Sequence, residues 1–194
     1  MGALALDFQS ANIHLSDEEF YRLCQANRDI RLEQSAEGKL IIMPPTGWEI
    51  GRQNARLIQQ LSNWADQDPS GLGFDSSTGF RLPNGATRSS DVAWVHKERS
   101  TAANPEPNQF LPLCPDFVIE LRSTSDVLLG LHRKMQEYLD NGLQLGWLID
   151  LVNKRVEIYR PNQALERLNA PTQLSGESVL SRLILNVGTI FAHT

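Results

Sequence analysis

Cysteine is scarce: the 194 residues hold two, Cys24 and Cys114, far apart and in no C-x-x-C spacing. That pattern excludes a paired-thiol metal or redox motif and reads as buried structural thiols in a reducing compartment. The four histidines, His14, His96, His132 and His193, are scattered without ligand spacing, so no zinc site is expected. No run approaches the roughly 18 apolar residues that a membrane span needs. The apolar patch Ala3–Leu6 is too short, and lacks the basic flank, for a secretory signal. A cytoplasmic protein with no membrane partner is expected. Also absent are a G-x-S-x-G elbow, a P-loop, a dinucleotide glycine fingerprint and a His-Glu-x-x-His helix. There is no internal repeat and no low-complexity stretch.

What is present is ordinary globular material, 41% hydrophobic and 21% charged, with length for one domain around one core. The net charge is −5, from 18 basic and 23 acidic residues. Such a balance argues against a general nucleic-acid coat while leaving room for one local basic surface. Of the 18 basic residues 14 are arginine, the side chain suited to planar phosphate contacts.

Ser16-Asp17-Glu18-Glu19 opens a short acidic-started helix carrying Phe20, Leu23 and Cys24. Ile30–Glu33 and Lys39–Met43, separated by Ala36-Glu37-Gly38, read as a hairpin. Thr46-Gly47-Trp48-Glu49 has the form of a capping box. Behind it Ile50, Leu57, Ile58, Leu61 and Trp64 predict a helix from about Gly47 to Asp66. Strand patterning follows from Leu72 to Val95, with Pro83-Asn84-Gly85 as the turn between Gly79–Leu82 and a strand Arg88–Val95. Thr101–Pro115 reads as a loop and Asp116–Leu121 as a strongly apolar strand. Leu128, Leu131, Met135, Tyr138 and Leu139 mark a second long helix stopping at Gly142. Leu145–Asp150 and Arg155–Tyr159 form another hairpin, and a short strand Leu165–Leu168 and an apolar stretch Leu183–Phe191 close the chain. The expected class is α+β, with helices packed on a mixed sheet.

Chemistry gathers on two strands. Alternation puts Phe117, Ile119 and Leu121 on one face and Asp116, Val118, Glu120 and Arg122 on the other. A carboxylate inside an apolar strand is costly unless paired or bound to a metal. Pairing with Arg122, or with a lysine on the next helix, would be the purely structural account of Glu120. Asp91 opens the other strand; if the two strands are neighbours, both carboxylates can converge on one cation. Magnesium suits such a pair, taking oxygen ligands and needing only one or two carboxylates. Asp116 stands ~13 Å from Glu120 along an extended strand, so it more naturally caps the strand start or binds loop backbone. Lys134 lies at the edge of its helix's apolar face, where it can snorkel to solvent or reach Glu120. Glu49, explicable as the glutamate of the box, also sits where it could add an oxygen to the same ion.

These residues in this order resemble the PD-(D/E)XK nuclease superfamily, with its core of a helix, three strands, a helix and a strand. More closely, the chain is similar to the Uma-two family of restriction-endonuclease-like proteins. The matching stretches are Pro45–Glu49, Phe74–Phe80, Arg88–Asp91, Cys114–Asp126, and Lys134–Leu139 through Gly146–Asp150, spanning about Glu33 to about Arg160. The resemblance implies a restriction endonuclease-like core at 46–160, an N-terminal helix and hairpin extension at 1–45 and a C-terminal tail of strands at 161–194. It implies that Asp91 and Glu120, with the backbone carbonyl of Leu121, hold a catalytic magnesium, with Glu49 the helix acid; manganese would substitute. Two positions depart from the pattern. Acid-x-lysine reads Glu120-Leu121-Arg122, and arginine stays protonated and cannot serve as a base. Arg122 could still grip a phosphate, and Lys134 takes the lysine's place. Ser90 stands where the motif has proline.

The implied activity is magnesium-dependent endonucleolytic hydrolysis of DNA. Arg81, Arg88 and Arg133 are candidate phosphate contacts, and a homodimer is implied if both strands are cut. The alternative is a non-catalytic module on a degenerate nuclease fold that binds nucleic acid or protein. A metal-free glycoside hydrolase built on the same carboxylates is a third reading, for which no aromatic platform can be placed.

Overall fold

A computed structural model describes residues 3–8, 10, 13–106 and 109–192, so His193 and part of the expected loop lie outside the described residues. After strand β1 (Leu4–Leu6), helix α1 (Asp17–Ala26) starts on a reciprocal cap. Ser16 accepts from the Glu19 amide, while the Glu19 carboxylate accepts from the Ser16 amide at 2.8 Å. Strands β2 (Arg31–Gln34) and β3 (Leu40–Met43) form the expected antiparallel hairpin. Helix α2 runs Trp48–Ala65 and buries Gln53, Leu57 and Leu61 along one stripe.

The α2 start differs from the expected capping box. Gly47 is the N-cap and makes no side-chain bond, so Glu49 falls at the second helical position, one short of where a box needs it. Glu49 is exposed there.

Strand β4 (Gly71–Asp75) is followed by a small hairpin of β5 (Phe80–Arg81) and β6 (Thr87–Arg88), then by β7 (Val92–His96). The predicted single strand Arg88–Val95 is therefore two strands in two different sheets. Its middle, Ser89-Ser90-Asp91, crosses from one sheet to the other. A polar cluster capped by Asp is poor ladder material, and this break is what delivers Asp91 to the site. Helix α3 (Lys97–Ala102) precedes the region expected as loop and takes only its first two residues, Thr101 and Ala102. Strand β8 (Phe117–Arg122), helix α4 (Leu128–Asp140), and the hairpin β9 (Leu145–Asp150) and β10 (Arg155–Tyr159) follow as expected. Gly142 ends α4 with φ of 108°, a left-handed conformation open to glycine at little cost. The chain closes with β11 (Glu166–Asn169), β12 (Leu174–Ser175), β13 (Ile184–Leu185) and α5 (Gly188–Phe191).

Two sheets organise these elements. The larger has the order β11-β10-β9-β8-β7-β4, with β8 and β9 parallel and their neighbours antiparallel. The smaller, β1-β3-β2-β6-β5, joins N-terminal strands to the β5–β6 hairpin of the central stretch. Alternation along β7 and β8 splits the core as read from sequence. Val92, Trp94, Phe117, Ile119 and Leu121 pack with Leu57 and Leu61 of α2, and with α5. Ala93, Val95 and Val118 pack on the other face with Met135 and Tyr138 of α4. Glu120 shares that second face, under α4, and is 5% exposed.

Candidate active site

Strands β7 and β8 are antiparallel neighbours with Val92 opposite Ile119, so one step further Asp91 stands across from Glu120. The Leu121 amide donates to Asp91 Oδ2 at 2.8 Å, pinning that carboxylate to the strand beside it. Lys134 projects from α4 onto Glu120, with Nζ 2.9 Å from Oε1. That contact is an ion pair lying off the hydrogen-bonding direction, and Glu120 Oε1 is left buried without a hydrogen bond among the described residues. The Lys134 ammonium spends two firm hydrogen bonds elsewhere, donating to Glu33 Oε1 at 2.9 Å and to the Ser89 carbonyl at 2.8 Å.

Glu33 is the residue that sequence reasoning missed. It sits on β2, in the N-terminal extension, only 3% exposed. It accepts from Lys134, from the Ser89 amide at 3.1 Å and from Arg88 Nη1 at 3.2 Å. Arg88 in turn donates from Nε to Glu137 at 2.5 Å. Glu33, Asp91, Glu120 and Glu137 thus face Arg88 and Lys134, with Arg31 further out, and the buried cluster keeps an excess of negative charge.

The electrostatics sort these acids. Burial pushes Glu120 up to about 7, with Asp91 and Glu33 adding to the rise and Lys134 opposing it. Burial also raises Asp91, against the Leu121 amide and Lys134. For Glu33 burial works upward too, but Lys134 and Arg88 outweigh it and hold the carboxyl below its usual range. Burial would lower Lys134; Glu120 and Glu33 overcome it, so the ammonium stays protonated and is no general base.

A stability consequence follows. The unfolded Glu120 carboxyl titrates near 4.5 and the folded one near 7, so the native state binds the extra proton between those values. Its contribution is fully present below about 4.5 and lost as pH rises through about 7. Asp91, raised by burial, adds in the same direction. The melting temperature of metal-free protein should therefore fall between pH 5 and 7.5, and Glu120→Gln should flatten that slope (approximate bounds from the linkage relation). A scan by differential scanning calorimetry, with a wild-type slope of the opposite sign, would contradict this charge state.

Asp91 and Glu120 open onto a cleft of about 780 Å³ lined also by Arg31, Trp48, Glu49, Leu121, the Ser123–Asp126 loop and Lys154. Other expected site residues lie elsewhere. Glu49 lines the rim, but it does not complete a three-acid cluster: among the described residues no three His, Cys, Asp or Glu side chains are grouped closely enough to share an ion. Arg122 pairs with Asp150 at 2.8 Å, its register partner on β9, and Asp150 also caps the turn through the Val152 and Asn153 amides. Arg81 is bonded to Asp17 and to the Gly85 carbonyl. Arg133 is exposed on α4 beside a separate shallow depression with Asn84 and Gln136. None of Arg81, Arg88, Arg122 and Arg133 lines the cleft; the cations that do are Arg31 and Lys154. Asp116, as expected, serves the backbone: it accepts from the His96 amide at 2.8 Å and from Arg99 at 2.6 Å.

The donor set suits a hard divalent cation. Two neighbouring carboxylates share a single close ammonium, that of Lys134 on Glu120, and burial disfavours the charge on both, which an oxygen-seeking cation relieves.

An antiparallel strand pair crossed by a parallel β8–α4–β9 unit, with paired carboxylates at the strand junction and a lysine on the following helix, defines a restriction endonuclease-like α+β fold. The crystal structure of an Anabaena variabilis protein described as "a putative nuclease belonging to DUF820" has this fold, superposing with a TM-score of 0.76 at 21% identity over 92% of this chain and 98% of that one. The sequence matches the Uma2 family, described as "Putative restriction endonuclease", over residues 17–188, and the chain belongs to that family. No curated protein matches the chain. Among the described residues no helix is long and apolar enough to cross a membrane.

Proposed function

We propose that the protein is a magnesium-dependent endonuclease that hydrolyses phosphodiester bonds in DNA. The observation that carries this reading is the pairing of half-buried Asp91 with buried Glu120, on adjoining strands at the wall of an open cleft, with Lys134 against Glu120. Asp91 and Glu120, with the Leu121 carbonyl, would hold the ion, and Glu49, exposed on the same cleft lining, would be the helix acid. Magnesium, or manganese in its place, would polarise a phosphate oxygen and acidify a bound water. Lys134 lies behind Glu120 and not in the cleft lining, so its part is to position that carboxylate and offset charge. Arg122 is spent on Asp150 and has no part in this reading. Cleavage of both strands calls for two sites, and a homodimer would supply them.

The test is a plasmid-nicking assay alongside a magnesium thermal shift. Wild type should cut with magnesium or manganese, stop in EDTA, and gain melting temperature with magnesium through binding to the native state alone. Asp91→Asn should lose both the cutting and the shift. Cleavage that persists in EDTA, or that survives in both Asp91→Asn and Glu120→Gln, would overturn the assignment.

A further inference from the structure

The cleft carries a feature that phosphodiester chemistry does not use. Trp48, at the first position of α2, is 74% exposed, and it lines the same cleft as Asp91 and Glu120. Its three fellow tryptophans are placed otherwise: Trp94 and Trp147 are fully buried and Trp64 packs against Trp94 with the rings tilted by 59°. An indole left so open carries a solvation cost with no folding return, because Gly47 alone caps the helix. Val152 lies exposed on the same lining, and Val127 and Leu129 are exposed just past the Ser123–Asp126 loop. The mouth of the cleft is thus apolar on top of an acidic floor.

Two cations flank that floor without an ion-pair partner among the described residues. Arg31, on β2, is half-buried in the cleft wall with its Nε enclosed and making no hydrogen bond. Lys154 is exposed at the β9–β10 turn on a left-handed residue with φ of 49°, lining the same cleft. The other basic groups near the site are consumed by Glu33, Glu137 and Asp150.

An intact duplex offers a protein its phosphates and groove edges and hides its base faces in the stack. An exposed indole sharing one cleft lining with two cations that make no ion pair matches a strand whose bases are open: the ring can stack on a base while the cations take neighbouring phosphates. We propose that the substrate segment entering this cleft is unpaired DNA, with Trp48 as the stacking platform for a base and Arg31 and Lys154 as the phosphate contacts beside it. This rests on reading the cleft as a phosphodiester site, and it narrows the substrate from DNA in general to single strands, flaps or locally opened duplex.

Binding can be measured without chemistry, so the two readings fail separately. Anisotropy of a short fluorescein-labelled oligodeoxynucleotide in EDTA should show the single strand bound about tenfold or more tightly than its blunt duplex. Trp48→Ala should weaken single-strand binding by about tenfold and abolish the preference, while Trp48→Phe retains most of both. The side chain is exposed, so both variants should keep the wild-type circular dichroism and melting temperature. Arg31→Gln should weaken binding and lower the slope of log affinity against log salt by about 1. Equal binding of strand and duplex by wild type, or unchanged strand binding by Trp48→Ala, would overturn the inference. Strand binding through Trp48 with no cleavage under any metal would remove the nuclease reading and leave this one. Asp91-dependent cutting with Trp48→Ala binding as wild type would do the reverse.

Discussion

Lys134→Met should unfold the protein about 3–5 kcal/mol more easily at neutral pH and cut phosphodiester cleavage by about a hundredfold. Among the described residues the ammonium is the only cation paired with Glu120, and it is held by Glu33 and the Ser89 carbonyl at the same time. Methionine matches the stem and removes the charge. The carboxylates then lose their counter-ion, and breaking one side of a buried pair costs far more than the pair was worth. Glu120 has an escape, since it can take up a proton. The penalty should therefore be smaller at pH 5 than at pH 8, as the carboxyl, already raised to about 7 beside Lys134, rises further without it. Urea denaturation at the two pH values measures this. Equal losses at both would mean that Lys134 supports Glu120 by packing and not by charge. Cleavage should fall mainly in kcat, because Lys134 does not line the cleft proposed to take the substrate.

Glu33→Gln should cost about 3 kcal/mol and reduce cleavage by between tenfold and a hundredfold, although Glu33 is absent from the cleft lining. Glu33 divides its oxygens between Arg88 on one side and Lys134 with the Ser89 amide on the other. Glutamine keeps the shape and one acceptor but puts amide hydrogens against a guanidinium or an ammonium. Arg88 would fall back on Glu137, and Lys134 would lose the carboxylate that fixes its direction. The telling readout is the magnesium thermal shift. A purely structural defect would lower the melting temperature and leave the shift intact, whereas a mispositioned Lys134 should change the affinity for magnesium expected of a site that includes Glu120.

The contrast between Glu33 and Glu120 shows what could be read from sequence. Glu120 is conspicuous because it interrupts a run of apolar residues with a strict two-residue alternation. Asp91 is conspicuous because it opens another such run, and antiparallel pairing of the two strands brings both acids to one edge. Lys134 lies at a predictable helical spacing from Leu131 and Tyr138. The fold class and the family followed from the same ordered set. Glu33 offers no such signal. It lies in a four-residue strand, Arg31–Gln34, whose sequence is as polar as any surface hairpin, and it is buried only because β6 and α4 cover it. Likewise, Arg122 was legible as a charged residue beside an acid, but its partner depended on the parallel register that places it against Asp150. The capping box at Thr46 failed by one residue because glycine, which needs no side-chain bond, took the cap. The strand Arg88–Val95 failed because periodicity cannot report which sheet a strand joins. Helix α3, six residues with no buried member, carries no apolar period to read.

The Glu33–Lys134 bond joins positions 101 residues apart, and Arg88 joins Glu33 across 55. Contacts of that separation form late, after the loop-closure entropy between them has been met. During synthesis β2 leaves the ribosome well before α4 exists, and Asp91 emerges before the strand that pins it. Until α4 emerges, the acids lack the lysine that pairs with Glu33 and Glu120. On the nuclease reading proposed above, a nascent chain has no assembled site until α4 has left the ribosome and packed on β2 and β8.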